Sequence, residues 1–180
     1  MSDAVIDSCC LINLCAAGNL RELLSTLKLS WHVPDAVLRE ALFLRGVDEE
    51  GRVVKERVEL EGIVKKGILG TCSVEPGDES ELYVQLAAVV DDGEAMALAI
   101  AKSRGWLLAT DDRLAIRCAE DMAVRIITTP ELMKRWADAA RKARHQIASA
   151  LRRVQERARF VPGPRCPLYD WWADHLANDS

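Results

Sequence analysis

The sequence predicts an α/β fold, a three-layer α/β/α sandwich around a central parallel sheet with a C-terminal helical extension, and three observations carry that expectation. Short apolar runs alternate with longer stretches of helical spacing, the order that produces parallel strands covered on both faces. Aspartates stand directly after two of the runs, as Asp7 and as Asp111-Asp112. The chain's 180 residues, 49% hydrophobic and 29% charged, suffice for one such domain with its own core.

Taken in order, Ala4-Val5-Ile6 reads as a strand ending at Asp7, and Ser8 opens a helix through Leu11, Ile12, Leu14 and Cys15 to Gly18. Asn19 is placed to cap a helix over Leu20, Leu23, Leu24 and Leu27, and Leu29 to Val33 reads as a strand. Pro34 suits the first turn of a helix carrying Val37, Leu38, Ala41 and Leu42. Residues 51–67 mix charges with Val53, Val54, Val58, Leu60 and Ile63 and read as a helix, with an edge strand within Ile68 to Val74. Beyond Pro76-Gly77-Asp78 comes a helix over Leu82 to Val90, then an alanine-rich helix from Glu94 to Lys102 stopped by Gly105. Trp106 to Ala109 is a buried strand, a helix follows from Arg113 through Cys118, and Val124 to Ile127 is the last strand. Thr129-Pro130-Glu131 opens a single long helix to about Phe160, with Thr as its cap. The expected division is 1–136 for the domain and 137–180 for a basic helix with a Pro- and Trp-rich tail, packed on the domain or on a partner.

Charge is distributed unevenly behind the net −4. Residues 1–133 carry 14 Lys/Arg against 23 Asp/Glu, residues 134–165 carry 10 against 2, and residues 166–180 carry no base and 3 acids. The apolar stretches are about half the roughly 20 residues of a membrane span, and Asp3 and Asp7 do not fit a signal peptide, so no membrane association and a cytoplasmic location are expected. Six cysteines without a CxxC pair read as reduced thiols.

In a parallel α/β sheet, ligands bind beyond the carboxyl ends of the strands. Asp7, Asp111 and Asp112 stand at such ends, while Glu94 and Glu40 arrive on neighbouring helices. Carboxylates gathered in one crevice repel one another unless a cation satisfies them, and hard oxygen donors select Mg2+ or Mn2+. Such a site supports phosphodiester hydrolysis. The plainer reading is that each acid caps a helix or sits in solvent, as Asp111 or Asp112 would if it capped the helix starting near Arg113.

These residues also carry a resemblance. Val5-Ile6-Asp7-Ser8 with Cys9-Cys10-Leu11-Ile12, then Val33-Pro34 through Val37-Leu38-Arg39-Glu40, then Gly93-Glu94-Ala95-Met96-Ala97, and last Leu108-Ala109-Thr110-Asp111-Asp112-Arg113 resemble, in order, the four acidic motifs of the PIN-domain family over about residues 3–136. The third is similar to the Gly-Glu-Ala form of a subgroup of small prokaryotic members. The resemblance implies a PIN-like fold and a Mg2+- or Mn2+-dependent ribonuclease acting on single-stranded RNA. Its catalytic acids would be Asp7, Glu40, Glu94 and Asp112, and its metal ligands Asp7, Glu94 and Asp112, with Asp111 as an auxiliary. It also implies the partners of such small proteins, an antitoxin protein and a second copy of the chain. Many members carry Ser or Asn two residues after the first aspartate; here that position is Cys9, a weaker hydrogen-bonding partner.

Outside the motifs, Arg113, Arg141, Lys142, Arg144, Arg152 and Arg153 are candidate RNA-binding residues, most of them on the basic helix. The same helix reads equally well as a basic face paired with the acidic body. Tyr169, Trp171 and Trp172 are too aromatic for a solvated tail and read as packed on the body or on a dimer mate, or as a stacking platform. A PIN-like module that binds RNA or protein without turnover is the alternative of a different class.

Overall fold

The computed structural model describes residues 2–40 and 42–177. Five strands form the central sheet: β1 (Ser2–Ile6), β2 (Leu29–Pro34), β5 (Gly70–Cys72), β6 (Leu107–Ala109) and β7 (Ile126–Ile127). They are all parallel and stand in the order β5-β2-β1-β6-β7. From β1 the chain winds outward through β2 to β5, then crosses back and continues on the other side through β6 to β7. The switch point of the winding therefore lies at the carboxyl ends of β1 and β6, where crevices form in folds of this kind.

Alternation along β1 makes the layers. Ala4 and Ile6 join a core cluster with α1 (Ser8–Ala16), α2 (Leu20–Thr26), α8 (Thr129–Ala139) and α9 (Arg144–Arg153). Val5 points the other way, into a cluster with α5 (Asp78–Leu86), α6 (Asp92–Arg104) and α7 (Arg113–Asp121). A strand apolar on both faces is what a sheet covered on both sides requires. Residues Ala95 to Ala101 of α6 are all buried, with Ala95, Ala97, Ala99 and Ala101 alternating with Met96, Leu98 and Ile100.

Three expectations need correction. The helix begun at Pro34 is short, α3 (Asp35–Arg39), and Glu40 follows it in extended conformation (φ −68°, ψ 141°); Ala41, expected on that helix, lies outside the described residues. In place of a helix over residues 51–67 there is an antiparallel hairpin, β3 (Phe43–Val47) with β4 (Val53–Arg57), followed by the short α4 (Glu61–Lys65). Asp48 sets the turn by accepting from the backbone N–H groups of Glu50 and Arg52 at 3.1 and 2.8 Å, and Gly51 takes the left-handed φ of +80°.

The single long helix after residue 129 is broken. At the end of α8, Arg141 is left-handed (φ +48°), with Arg141 N–H on the Asp138 carbonyl and Lys142 N–H on the Ala137 carbonyl, a Schellman stop without its usual glycine. A π-helical turn, Val154–Ala158, prolongs α9 and ends at left-handed Arg159 (φ +60°). The tail forms α10 (Tyr169–Ala177), whose Trp172 is buried in the same cluster as Ile6 and Leu14, edge-on to Phe160. Replacing that indole, Trp172→Ala, is expected to cost about 3–5 kcal/mol and to lower the urea midpoint; an unchanged midpoint would show that α10 does not stabilise the core.

Candidate functional site

Asp7 is the single residue between β1 and α1. Its N–H donates to the Ala109 carbonyl at 3.1 Å, prolonging the β1–β6 ladder, and its carboxylate caps α1 by accepting from Cys10 N–H at 2.8 Å. The side chain is 1% exposed. Cys9 Sγ lies 3.2 and 3.1 Å from the two carboxylate oxygens and donates to them, and Thr110 adds a side-chain hydrogen bond. Burial raises its pKa from 3.8 to about 7 despite these donors, with the charge of Asp111 adding to the rise.

On the other side of the switch point, Asp111 and Asp112 leave β6 with different tasks. Asp111 accepts from Asn13 Nδ2 at 2.9 Å, from Thr129 N–H at 2.9 Å and from the Thr129 hydroxyl. Burial nonetheless holds its pKa above the ordinary carboxylate value. Asp112 caps α7 through Oδ1, which accepts from Leu114 and Ala115 N–H at 2.7 and 2.8 Å; Oδ2 has no hydrogen bond to the described residues. The capping reading of these aspartates is thus true of Asp112 and of Asp7; capping leaves Oδ2 of Asp112 over, whereas Oδ2 of Asp7 is engaged by the Cys9 thiol.

Glu94, in the first turn of α6, has its pKa raised by partial burial and then by the charges of Asp112, Asp91 and Glu40. Glu40 reaches the same place from beyond α3. A Cβ on Gly93 would lie 2.7 Å from Glu40 Oε1, so the missing side chain leaves room for this carboxylate, and Ser8 hydrogen-bonds to it. Its pKa too is raised, by burial and then by Asp91 and Asp92.

The opening beside these groups is a cleft of about 320 Å3 lined by Cys9, Asn13, Glu94, Asp111, Asp112 and, from the C-terminal segment, Arg159 and Phe160 among others. Asp7, buried, is in contact with the cleft-lining Cys9, and Glu40 packs at Gly93 beside Glu94. Among the described residues no three Asp, Glu, His or Cys side chains stand close enough to clasp one ion as they are. The donor set is nevertheless of the hard carboxylate-oxygen kind that divalent cations such as Mg2+ prefer, and repulsion from neighbouring acids adds to burial in raising the pKa of Asp7 and Glu94.

Sequence reasoning missed the supports of the acids. Asn13 is 4% exposed and ties α1 to Asp111, and also donates to Thr129 Oγ1 at 3.2 Å. Its signal was an amide inside the apolar run Leu11 to Leu14. Thr129 was expected to cap α8; Thr128 caps it, with Glu131 returning the bond, and fully buried Thr129 is free to hold Asp111. Cys9 was expected only as a weaker hydrogen-bonding partner at a position where many members carry Ser or Asn, yet its sulfur donates to Asp7 and also accepts from Asp111 N–H at 3.4 Å, bridging the two strand ends.

The basic residues are placed variously. Lys142 pairs with Glu22 over the Trp136 ring, Arg144 donates to the Asp174 carbonyl, and Arg153 donates to the Ala17 carbonyl and Ser149 Oγ. Arg152 is half-buried and engaged, Arg141 is exposed at the stop of α8, and Arg113 is exposed on α7. All six cysteines are free, and among the described residues no helix is long and apolar enough to cross a membrane.

Together the switch-point sheet and its cleft of raised carboxylates define a class, an α/β/α domain built to concentrate negative charge at one edge. The chain matches the family model of the PIN domain over residues 3–163 and belongs to that family. Comparison with curated proteins and with solved structures gave no match. PIN domains are generally nucleases that use divalent metal and bind nucleic acid, so this chain's function is of the nuclease type.

The raised pKa of Asp7 has a consequence for stability. Between pH 3.8 and about 7 the folded chain keeps a proton that the unfolded chain has lost, so stability falls as pH rises through this window. In EDTA, Asp7→Asn is expected to be more stable than the wild type at pH 8 and to lose that advantage by pH 4. Thermal midpoints at the two pH values check this, and a variant less stable at pH 8 would contradict it.

Proposed function

We propose that the protein is a metal-dependent endoribonuclease hydrolysing single-stranded RNA. The observation that supports this reading is the convergence of Asp7, Asp111, Asp112 and Glu94, with Glu40 beside them, at the switch point, where burial raises the pKa of Asp7, Asp111, Glu94 and Glu40. Asp7, Glu94 and Asp112 would hold Mg2+ or Mn2+, with Asp111 in support. When bound, the ion supplies Lewis-acid activation of the phosphodiester and of a water molecule. The choice of RNA rests on the likeness to small PIN ribonucleases.

The chain's own contribution is orientation and proton handling. Asp7 and Asp111 are held by several donors each, so their oxygens are fixed before substrate arrives. Asp112 Oδ1 is committed to α7, which leaves Oδ2 for the cleft. Glu40 and Glu94 have fewer hydrogen bonds and raised pKa values, which suits them to take or hold a proton.

A binding module without turnover is favoured by one feature, the thiol of Cys9 engaging both oxygens of Asp7. Purified protein with Mn2+ and labelled single-stranded RNA separates the two readings. Wild type should cleave and stop in EDTA, while Asp7→Asn and Asp112→Asn should each lose more than the roughly 10–100-fold typical of an outer-shell partner. Equal cleavage by wild type and variants would sink the carboxylate mechanism; binding by all with cleavage by none would favour the module.

A further inference from the structure

A second groove, about 670 Å3, opens from the acidic cleft and shares Asp111 and Phe160 with it. One bank is α7, with Arg113, Arg117 and Glu120; the other is the segment from Phe160 to Cys166, with exposed Val161 and Arg165. Arg113, Arg117 and Arg165 are exposed and their side chains form no hydrogen bond or ion pair with the described residues, and neither does that of Arg159 at the mouth of the cleft. Cations of α9 and its continuation are used differently: Arg144 and Arg153 donate to backbone carbonyls, and Arg157 pairs with Glu56. Uncommitted positive charge is thus collected around a concave surface that leads out of the cleft.

We infer that this groove is the track for the phosphate backbone of single-stranded RNA leaving the cleft, with Arg113, Arg117 and Arg165 on its phosphates and Arg159 at the cleft mouth. The inference rests on the nuclease reading for its choice of occupant. A strand cut inside a crevice must continue beyond it, and a phosphate chain crossing an acidic body needs cations at the exit. Phe160, Val161, Pro162 and Pro164 give the same groove apolar surface for unpaired bases. An acidic peptide would satisfy the arginines but would leave the apolar wall and the continuity with the cleft without a role.

Anisotropy of a labelled oligouridylate in EDTA tests the track without turnover. Arg117→Ala/Arg165→Ala should weaken binding roughly tenfold, and the slope of log affinity against log salt should flatten by about 0.7 for each arginine removed. Arg21→Ala/Lys66→Ala, equal in charge and exposed elsewhere, should change both much less. Equal effects of the two double variants would overturn the track, as would an unchanged slope, absence of RNA binding, or binding only of a polyglutamate competitor. Duplex RNA bound as tightly as the single strand would also count against it. Cleavage is scored separately: a silent nuclease assay with the predicted binding differences refutes the nuclease reading alone, and normal cleavage with unaltered binding refutes the track alone.

Discussion

A carboxylate buried at the end of the central strand is the constraint on which the rest of the structure depends. Asp7 sits where β1 gives way to α1, with Thr110 and Asp111 on the neighbouring strand end and almost no access to solvent. Removing an ionised acid from water is costly unless donors replace the solvent. Here they come from the N-terminus of α1, from the Cys9 thiol and from Thr110, and they offset part of the burial without cancelling it. A positive charge in the cleft would offset both the desolvation cost and the repulsion from Asp111.

The same requirement explains why the surrounding helices meet as they do. Asp111 would add a second buried charge, and it is held by Asn13 of α1 and by the backbone and hydroxyl of Thr129 at the start of α8. Three elements distant in sequence are therefore joined through one side chain. Negative charge is favoured at helix N-termini by the exposed N–H groups and the helix dipole, and Asp7, Asp112 and Glu94 all lie in or directly before a first helical turn. The acids hold their own helices in place as well as forming the cleft.

How much of this was legible follows from which interactions are local. The alternation of apolar runs and helical spacing led to the parallel sheet, and aspartates directly after Ile6 and Thr110 pointed to its carboxyl edge. Residues 51–67 misled because β4 has only one partner strand and one half-covered position, Val54, so no alternation of apolar and polar residues marks it as a strand. The stop at Arg141 was hidden for a different reason: that position ordinarily calls for glycine, and here Lys142, held by Glu22 and the Trp136 ring, is an anchor that only the tertiary fold supplies. Asn13 and Thr129 were unreadable as supports because their partner is about a hundred residues away in the chain for Asn13, and on a different strand end for Thr129.

The C-terminal segment completes the cleft through the far end of the helix that Asp7 begins. Gly18 follows α1 with φ +95°, and a Cβ there would lie 2.8 Å from Arg153 Nε. Its absence lets the guanidinium reach the Ala17 carbonyl, where the helix dipole favours a cation. Helix α1 thus carries a carboxylate at one end and a guanidinium at the other, and both charges are stabilised by the same backbone. Because Arg153 is followed at once by the π-helical turn, this contact sets where Arg159 and Phe160 emerge, and they emerge against Asn13 and the acids. The basic segment that looked separable in sequence is therefore tied to the acidic one through a single helix, and the wall of the cleft is built by residues that follow the last strand by more than thirty positions.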